Sequence, residues 1–298
     1  MSAVESNLDQ QITIKLLYHM IVCNTLKSIN NSNQGTINHS IKKETSDEIA
    51  YENTMNFKEN SILDFKTLRN LRQGRLESVL SERYQYNTSI ERGQRFLLQH
   101  VNSKLDLVIM YADMVGSTKM SMTLPTEKVV TIIKAFSHEL SSVIESYGGF
   151  VLKYVGDAII SFFPSGFNKY LICDRAYRCA KSMISVLRND INPVFHKHGY
   201  PDLQIKVGMA EGENVVIQYG KDKSSQIDLI GYIMNVTAKI TSITLPNRIS
   251  VGGTIYTLLH PKIQSDFEIV SLENKNWKYI DMHTKKPYTV FTTKNTSQ

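Results

Sequence analysis

Apolar and polar positions recur along this chain with two periods, and the changes from one to the other mark its elements. Ile12, Leu16, Met20 or Leu17, and Cys23 lie at helical spacing, which predicts a short amphipathic helix over residues 11–30. From about Asn30 to Asn60 no period is sustained and polar residues dominate, as in a flexible linker. Leu68, Leu71, Leu76 and Val79 or Leu80 then form a stripe over 61–83, with Ser61 and Asp64 as a modest N-cap signal. That helix either packs on its own domain or pairs in parallel with a second copy, and Gly74 interrupts it. Thr88 and Glu91 stand at capping-box spacing ahead of Leu97 and Val101, predicting a further helix over about 88–101.

The pattern then changes to strands. Leu105 to Met110 reads as a buried strand, and Asp113 sits where it gives way to a turn. Val129, Ile133, Phe136, Leu140, Val143 or Ile144, and Tyr147 give a helix one apolar face. Val151, Lys153 and Val155 alternate up to a Gly156-Asp157 turn, and Ile159 onward returns as the second strand of a hairpin. Another helix, over 169–190, turns Ile172, Ala176, Cys179, Met183 and Val186 or Leu187 inward. Leu203, Ile205, Val207 and Met209 alternate, with Asn214 to Tyr219 as their partner strand across a Glu211-Gly212-Glu213 turn. Residues 227–245 start extended and become helical around Asn235; 249–252 read as a strand, Thr254 to Leu259 as a short helix, and 266–292 as a polar-tipped hairpin. Helices mixed with strands in both pairing senses make the class α+β, or α/β with an antiparallel-rich sheet.

Composition narrows this little. With 298 residues and 42% hydrophobic content, the chain can bury a real core. No apolar run reaches the roughly 20 residues of a membrane span, and the start lacks the pattern of a signal peptide, so a cytoplasmic protein is expected. Cys23, Cys173 and Cys179 form no CxxC or CxxH set and are expected to be reduced and packed. The net charge of +6 comes from scattered basic residues rather than a stripe with interleaved aromatics, which argues against a nucleic-acid partner.

The candidate chemistry begins with Asp113 and Asp157. Singly, each reads as a turn or cap residue. Together, at the ends of two strands joined through a helix, they form a carboxylate pair of the kind that holds two divalent ions. YADMVGST at 111–118, LKYVGDAIISFF at 152–163, GMAEG at 208–212 and IDLIGYIMNVTAKI at 227–240 resemble, in order and spacing, the motifs of the class III adenylyl/guanylyl cyclase catalytic domain. The resemblance covers about 103–292. It implies a ferredoxin-like or palm-like mixed sheet flanked by helices. The N-terminal third shows no such match, and its pattern alone makes 1–60 an N-terminal helix and polar linker and 61–102 a helical linker or dimerisation segment.

The resemblance further implies conversion of ATP to cyclic AMP with two Mg²⁺ (or Mn²⁺) ions held by Asp113, Asp157 and the Met114 carbonyl. The backbone of Met114, Val115, Gly116, Ser117 and Thr118 would cradle the triphosphate. Lys153 and Asp228 match the family's base-reading positions and complement the adenine edge, an acceptor at N1 and donors at N6. Asn235 and Lys239, four apart on one helix face, match the residues that orient the ribose and brace the α-phosphate; the family has arginine where this chain has Lys239. Lys278, Lys285 and Lys286 are all candidates for a further phosphate contact. Because one sequence carries both halves of the site, the resemblance implies a homodimer with two shared sites. The alternatives are a cyclase acting on GTP or a pyrimidine triphosphate, and a catalytically weak nucleotide-binding module.

Overall fold

The computed structural model describes residues 72–78, 89–166, 168–220, 222, 225–273, 277–282 and 284–295, all within the unit Leu63–Gln298. The helix expected over 11–30, the polar linker, Cys23, and the stripe positions Leu68, Leu71, Val79 and Leu80 lie outside the described residues. In chain order the elements are α1 (residues 72–78), α2 (Ser89–Leu98), β1 (Lys104–Met114), α3 (Ser117–Thr123), α4 (Thr126–Ser146), β2 (Phe150–Val155), β3 (Ala158–Pro164) and α5 (Lys169–Val186). A π-helical turn, Leu187–Ile191, leads into α6 (Asn192–Lys197), β4 (Ile205–Gln218), β5 (Ile227–Ile230), α7 (Tyr232–Ile243) and β6 (Ile249–Gly252). The chain closes with α8 (Gly253–Leu258), α9 (Pro261–Gln264), β7 (Phe267–Ile269) and β8 (Val290–Thr293).

The architecture is α+β. One sheet runs β2-β3-β1-β4-β6-β8-β7, with β5 paired to the far half of β4, and only β4 and β6 run parallel. Period-two alternation along β1 separates two cores: Val108, Met110 and Ala112 face one, and Leu107 and Ile109 the other. The first core is covered by α4, which buries Ile132, Phe136, Leu140, Val143 and Ile144, and by α5, which buries Ile172, Ala176, Cys179 and Met183. Both cysteines on α5 are free and buried, and burial raises the Cys173 thiol to about 12. On the opposite face lie α2, whose Phe96 stacks on Phe150, and α7.

Three expectations are corrected. The Glu211-Gly212-Glu213 segment is not a turn: β4 continues through it, pairing with β1 from Met114↔Ile205 to Lys104↔Val215. Its acidic residues are tolerated in the ladder because each has a cation, Lys169 on Glu211 (2.8 Å) and Lys104 on Glu213 (2.9 Å). The helix expected over 169–190 leaves α geometry at Val186, where the π-turn takes up an extra residue and turns Leu187, Asp190 and Ile191 all inward. The terminal hairpin is nested: β7 pairs with β8, while Ile280 bridges Pro287 in a smaller hairpin between them.

Candidate active site

Asp113 is the last outward step of β1 before the strand ends. Alternation puts it on the face of Leu107, Ile109 and Tyr111, and the register sets it opposite Ala158 on β3. Asp157 immediately precedes Ala158, in the two-residue turn that joins β2 to β3. The two residues thus lie at one end of adjacent strands. Both are half-buried; Asp157 has no partner among the described residues, and Asp113 has only the Lys206 ammonium, at 3.0 Å. Two carboxylates at neighbouring strand ends with so little compensation fit a hard divalent cation, the remaining positions falling to backbone, water and substrate oxygens. Beyond Asp113, Gly116 adopts φ 77, a left-handed conformation that favours glycine, and turns the chain into α3, whose first amides no side chain caps.

Lys153 reaches the same face by a route the alternation did not predict. Between Val151↔Ser161 and Lys153↔Ile160 the β2–β3 register shifts, so that Leu152 and Lys153 together oppose Ile160. This β-bulge breaks the expected Val151, Lys153, Val155 series: Val151 enters the core under α4, while Lys153 turns towards β5. There it ion-pairs with Asp228, whose other oxygen accepts the Leu229 amide (2.9 Å). Tyr111 stands nearby, its hydroxyl pushed above the usual phenol range by burial and by the Asp228 charge.

Helix α7 starts at Tyr232, three residues before the expected onset, and is pressed onto the same sheet face. The approach needs glycine: a Cβ on Gly208 would stand 2.2 Å from Thr241 Oγ1 and 2.7 Å from its nitrogen. Asn235 is exposed and Lys239 half-buried, and neither makes a side-chain hydrogen bond or ion pair among the described residues. Lys278, Lys285 and Lys286 are exposed on the small terminal hairpin, which Tyr232 ties to α7 by accepting the Ile280 amide (2.9 Å).

The model of the adenylate and guanylate cyclase catalytic domain matches residues 100–293. The chain belongs to that family. Among curated cyclase relatives, the uridylate cyclase of Burkholderia cepacia is 27% identical over 168 residues, covering 55% of this chain and 71% of that protein. A receptor-type guanylate cyclase of Caenorhabditis elegans is 25% identical over 155 residues, 51% of this chain. The chain spans only 12% of that receptor's length and 13% of a Rhizobium meliloti protein to which it is 24% identical. Among solved structures, the adenylyl cyclase CyaB from P. aeruginosa shares the fold at a TM-score of 0.54 and 18% identity, covering 66% of this chain and 97% of its own.

Within this cyclase domain the structure therefore pairs Lys153 with Asp228, and sets Asp113 one register position from Asp157. Asn235 and Lys239 make no side-chain hydrogen bond or ion pair with either aspartate among the described residues. Sequence reasoning missed Lys206. A lysine between Ile205 and Val207 reads as an ordinary outward strand residue, and only the β1–β4 register sets it against Asp113.

Proposed function

We propose that this cyclase domain converts ATP to 3′,5′-cyclic AMP and pyrophosphate in the cytoplasm, as a homodimer whose two sites are each shared between copies. The observation that carries the choice of base is the Lys153–Asp228 pair, set side by side by the bulge in β2. A lysine donor complements adenine N1 and a carboxylate acceptor complements the N6 amino group, whereas guanine presents N1–H and O6 and would need the charges exchanged. Each buried mismatch costs on the order of 1–3 kcal/mol, enough to order the substrates. Without nucleotide the two groups neutralise one another.

The remaining roles follow the family's motif positions. Asp113, Asp157 and the Met114 carbonyl would hold Mg²⁺ or Mn²⁺, which when bound acidifies the attacking hydroxyl and offsets phosphate charge. The Val115 amide already donates to the Gln204 carbonyl (2.8 Å). Of the backbone expected to cradle the triphosphate, the amides from Gly116 to Thr118 are therefore the ones that would bind phosphate oxygens, as the open N-terminal turn of a helix does. Asn235 orients the ribose so that its 3′-oxygen lies in line with the α-phosphorus. Lys239 places its positive charge beside the α-phosphate, where negative charge builds during attack. In both, the free side chain on the outer face of α7 supports a role completed by a second copy.

The test is turnover of ATP, GTP, CTP and UTP in turn with Mn²⁺, each cyclic product identified by mass. The expected result is the highest kcat/KM for ATP, and a reduced ATP-to-GTP ratio in Lys153→Glu, Asp228→Cys. Cyclic UMP as the main product would instead place the chain with its Burkholderia relative, and no product from any triphosphate would make it a binding module.

A further inference from the structure

Lys206 has no part in the roles above, yet it is the only ion-pair partner of Asp113 among the described residues. The pairing is built into the sheet: Asp113 and Lys206 are directly opposed in the β1–β4 register, and their side chains are 31% and 22% exposed. Neither can leave without a change of rotamer, because their strands are fixed by eleven consecutive register pairs. At the Asp113 Oδ2 oxygen, which faces that ammonium at 3.0 Å, a cation would have to share the oxygen with a like charge or displace it.

We infer that Lys206 is a positioning residue of the metal site: it holds the Asp113 carboxylate in place while the site is metal-free, and competes with the divalent cation for the same oxygen. The inference rests on the proposed metal role of Asp113 and Asp157. Its consequence is a pair of effects of opposite sign. Removing the ammonium leaves Asp113 beside the unpartnered Asp157, so the metal-free protein loses stability; it also removes the competitor, so the cation binds more tightly. A lysine kept only for strand packing or solubility would produce the first effect without the second.

The experiment is a Mn²⁺ titration of the full chain without nucleotide, followed by electron paramagnetic resonance of free Mn²⁺ and by thermal unfolding. Lys206→Met is expected to unfold a few degrees lower than wild type without metal, and to bind Mn²⁺ about three- to fivefold more tightly, the range expected for a partly exposed ion pair. Lys206→Arg, with a fork that grips a carboxylate more firmly, is expected to bind Mn²⁺ more weakly than wild type. Asp113→Asn and Asp157→Asn are expected to abolish the Mn²⁺ response. Equal Mn²⁺ affinity in wild type, Lys206→Met and Lys206→Arg overturns the inference alone. A wild-type response that survives both aspartate substitutions, or no response at all, overturns the metal assignment and this inference with it.

Discussion

At the scale of single residues, the account turns on side chains whose loss should be felt in turnover far more than in folding. Asp113→Asn or Asp157→Asn is expected to lower kcat by more than about a hundredfold with the fold intact, since each would remove a ligand and several kcal/mol of transition-state stabilisation. Near-normal kcat with circular dichroism unchanged would remove that residue from the site. Lys239 supplies one charge where the family's arginine supplies a planar fork. Lys239→Arg is therefore expected to raise kcat about ten- to thirtyfold with KM little changed, and Lys239→Ala to be nearly inactive; an alanine variant within twofold of wild type would contradict this. Asp113 and Asp157 stood out in the sequence as acidic residues at strand ends, whereas Lys153 and Asp228 were legible only through their match to the family's motif positions. The geometry of all four was not legible. The ion pair of Lys153 depends on a bulge and that of Asp113 on a cross-strand register, both products of pairing between distant segments.

At the scale of elements, the short helix α1 shows how the segment before the catalytic domain joins it. Leu76 is fully buried in the core under α4, and Arg75 grips the fully buried Glu139 of α4 through two hydrogen bonds of 3.1 Å. Arg72 reaches Asp190 in the π-turn (2.6 Å) and comes within 3.5 Å of Glu139. Burial pushes the Glu139 carboxyl up, but His138 and Arg75 more than offset this and hold it below its usual range. A depressed pKa means that the clamp contributes stability above the unfolded value, and that this is lost as pH falls through the folded one.

Replacing Arg72 and Arg75 with methionine is expected to cost about 2–4 kcal/mol in urea unfolding, because Glu139 would then be buried with too little compensation. Adding Glu139→Met should recover part of that loss. A change under about 0.5 kcal/mol in the arginine variant would show that the clamp is incidental. The apolar stripe at 61–83 predicted a helix that includes residues 72–78, and of its positions only Leu76 is described, buried; that Glu139 lay inside the opposing helix was hidden, since a glutamate among Ser and His reads as solvated surface. The long β4 was hidden for a similar reason: Glu-Gly-Glu has turn composition, and only its pairing with the distant residues 106–108 of β1 makes it a strand.

At the scale of the whole molecule, an antiparallel-rich sheet with helices followed from periodicity, while the order of strands needed the structure, because β8 inserts between β6 and β7 and β5 returns to β4. The proposed enzyme needs more than this one chain. Asp113 and Asp157 lie at one sheet end, and Asn235 and Lys239 face outward from α7 with no bond to them. In a head-to-tail dimer each copy would lend its helix to the other's aspartates, so that two sites form from four halves. The most direct measurement mixes Asp157→Asn with Asn235→Ala, each inactive alone, after subunit exchange has been verified by a tag on one of them. One of the two sites in a mixed dimer then carries neither substitution, and cyclic AMP formation is expected to return, approaching a quarter of the wild-type rate at equal mixing. Mixed dimers that form and yet stay inactive would contradict the shared site.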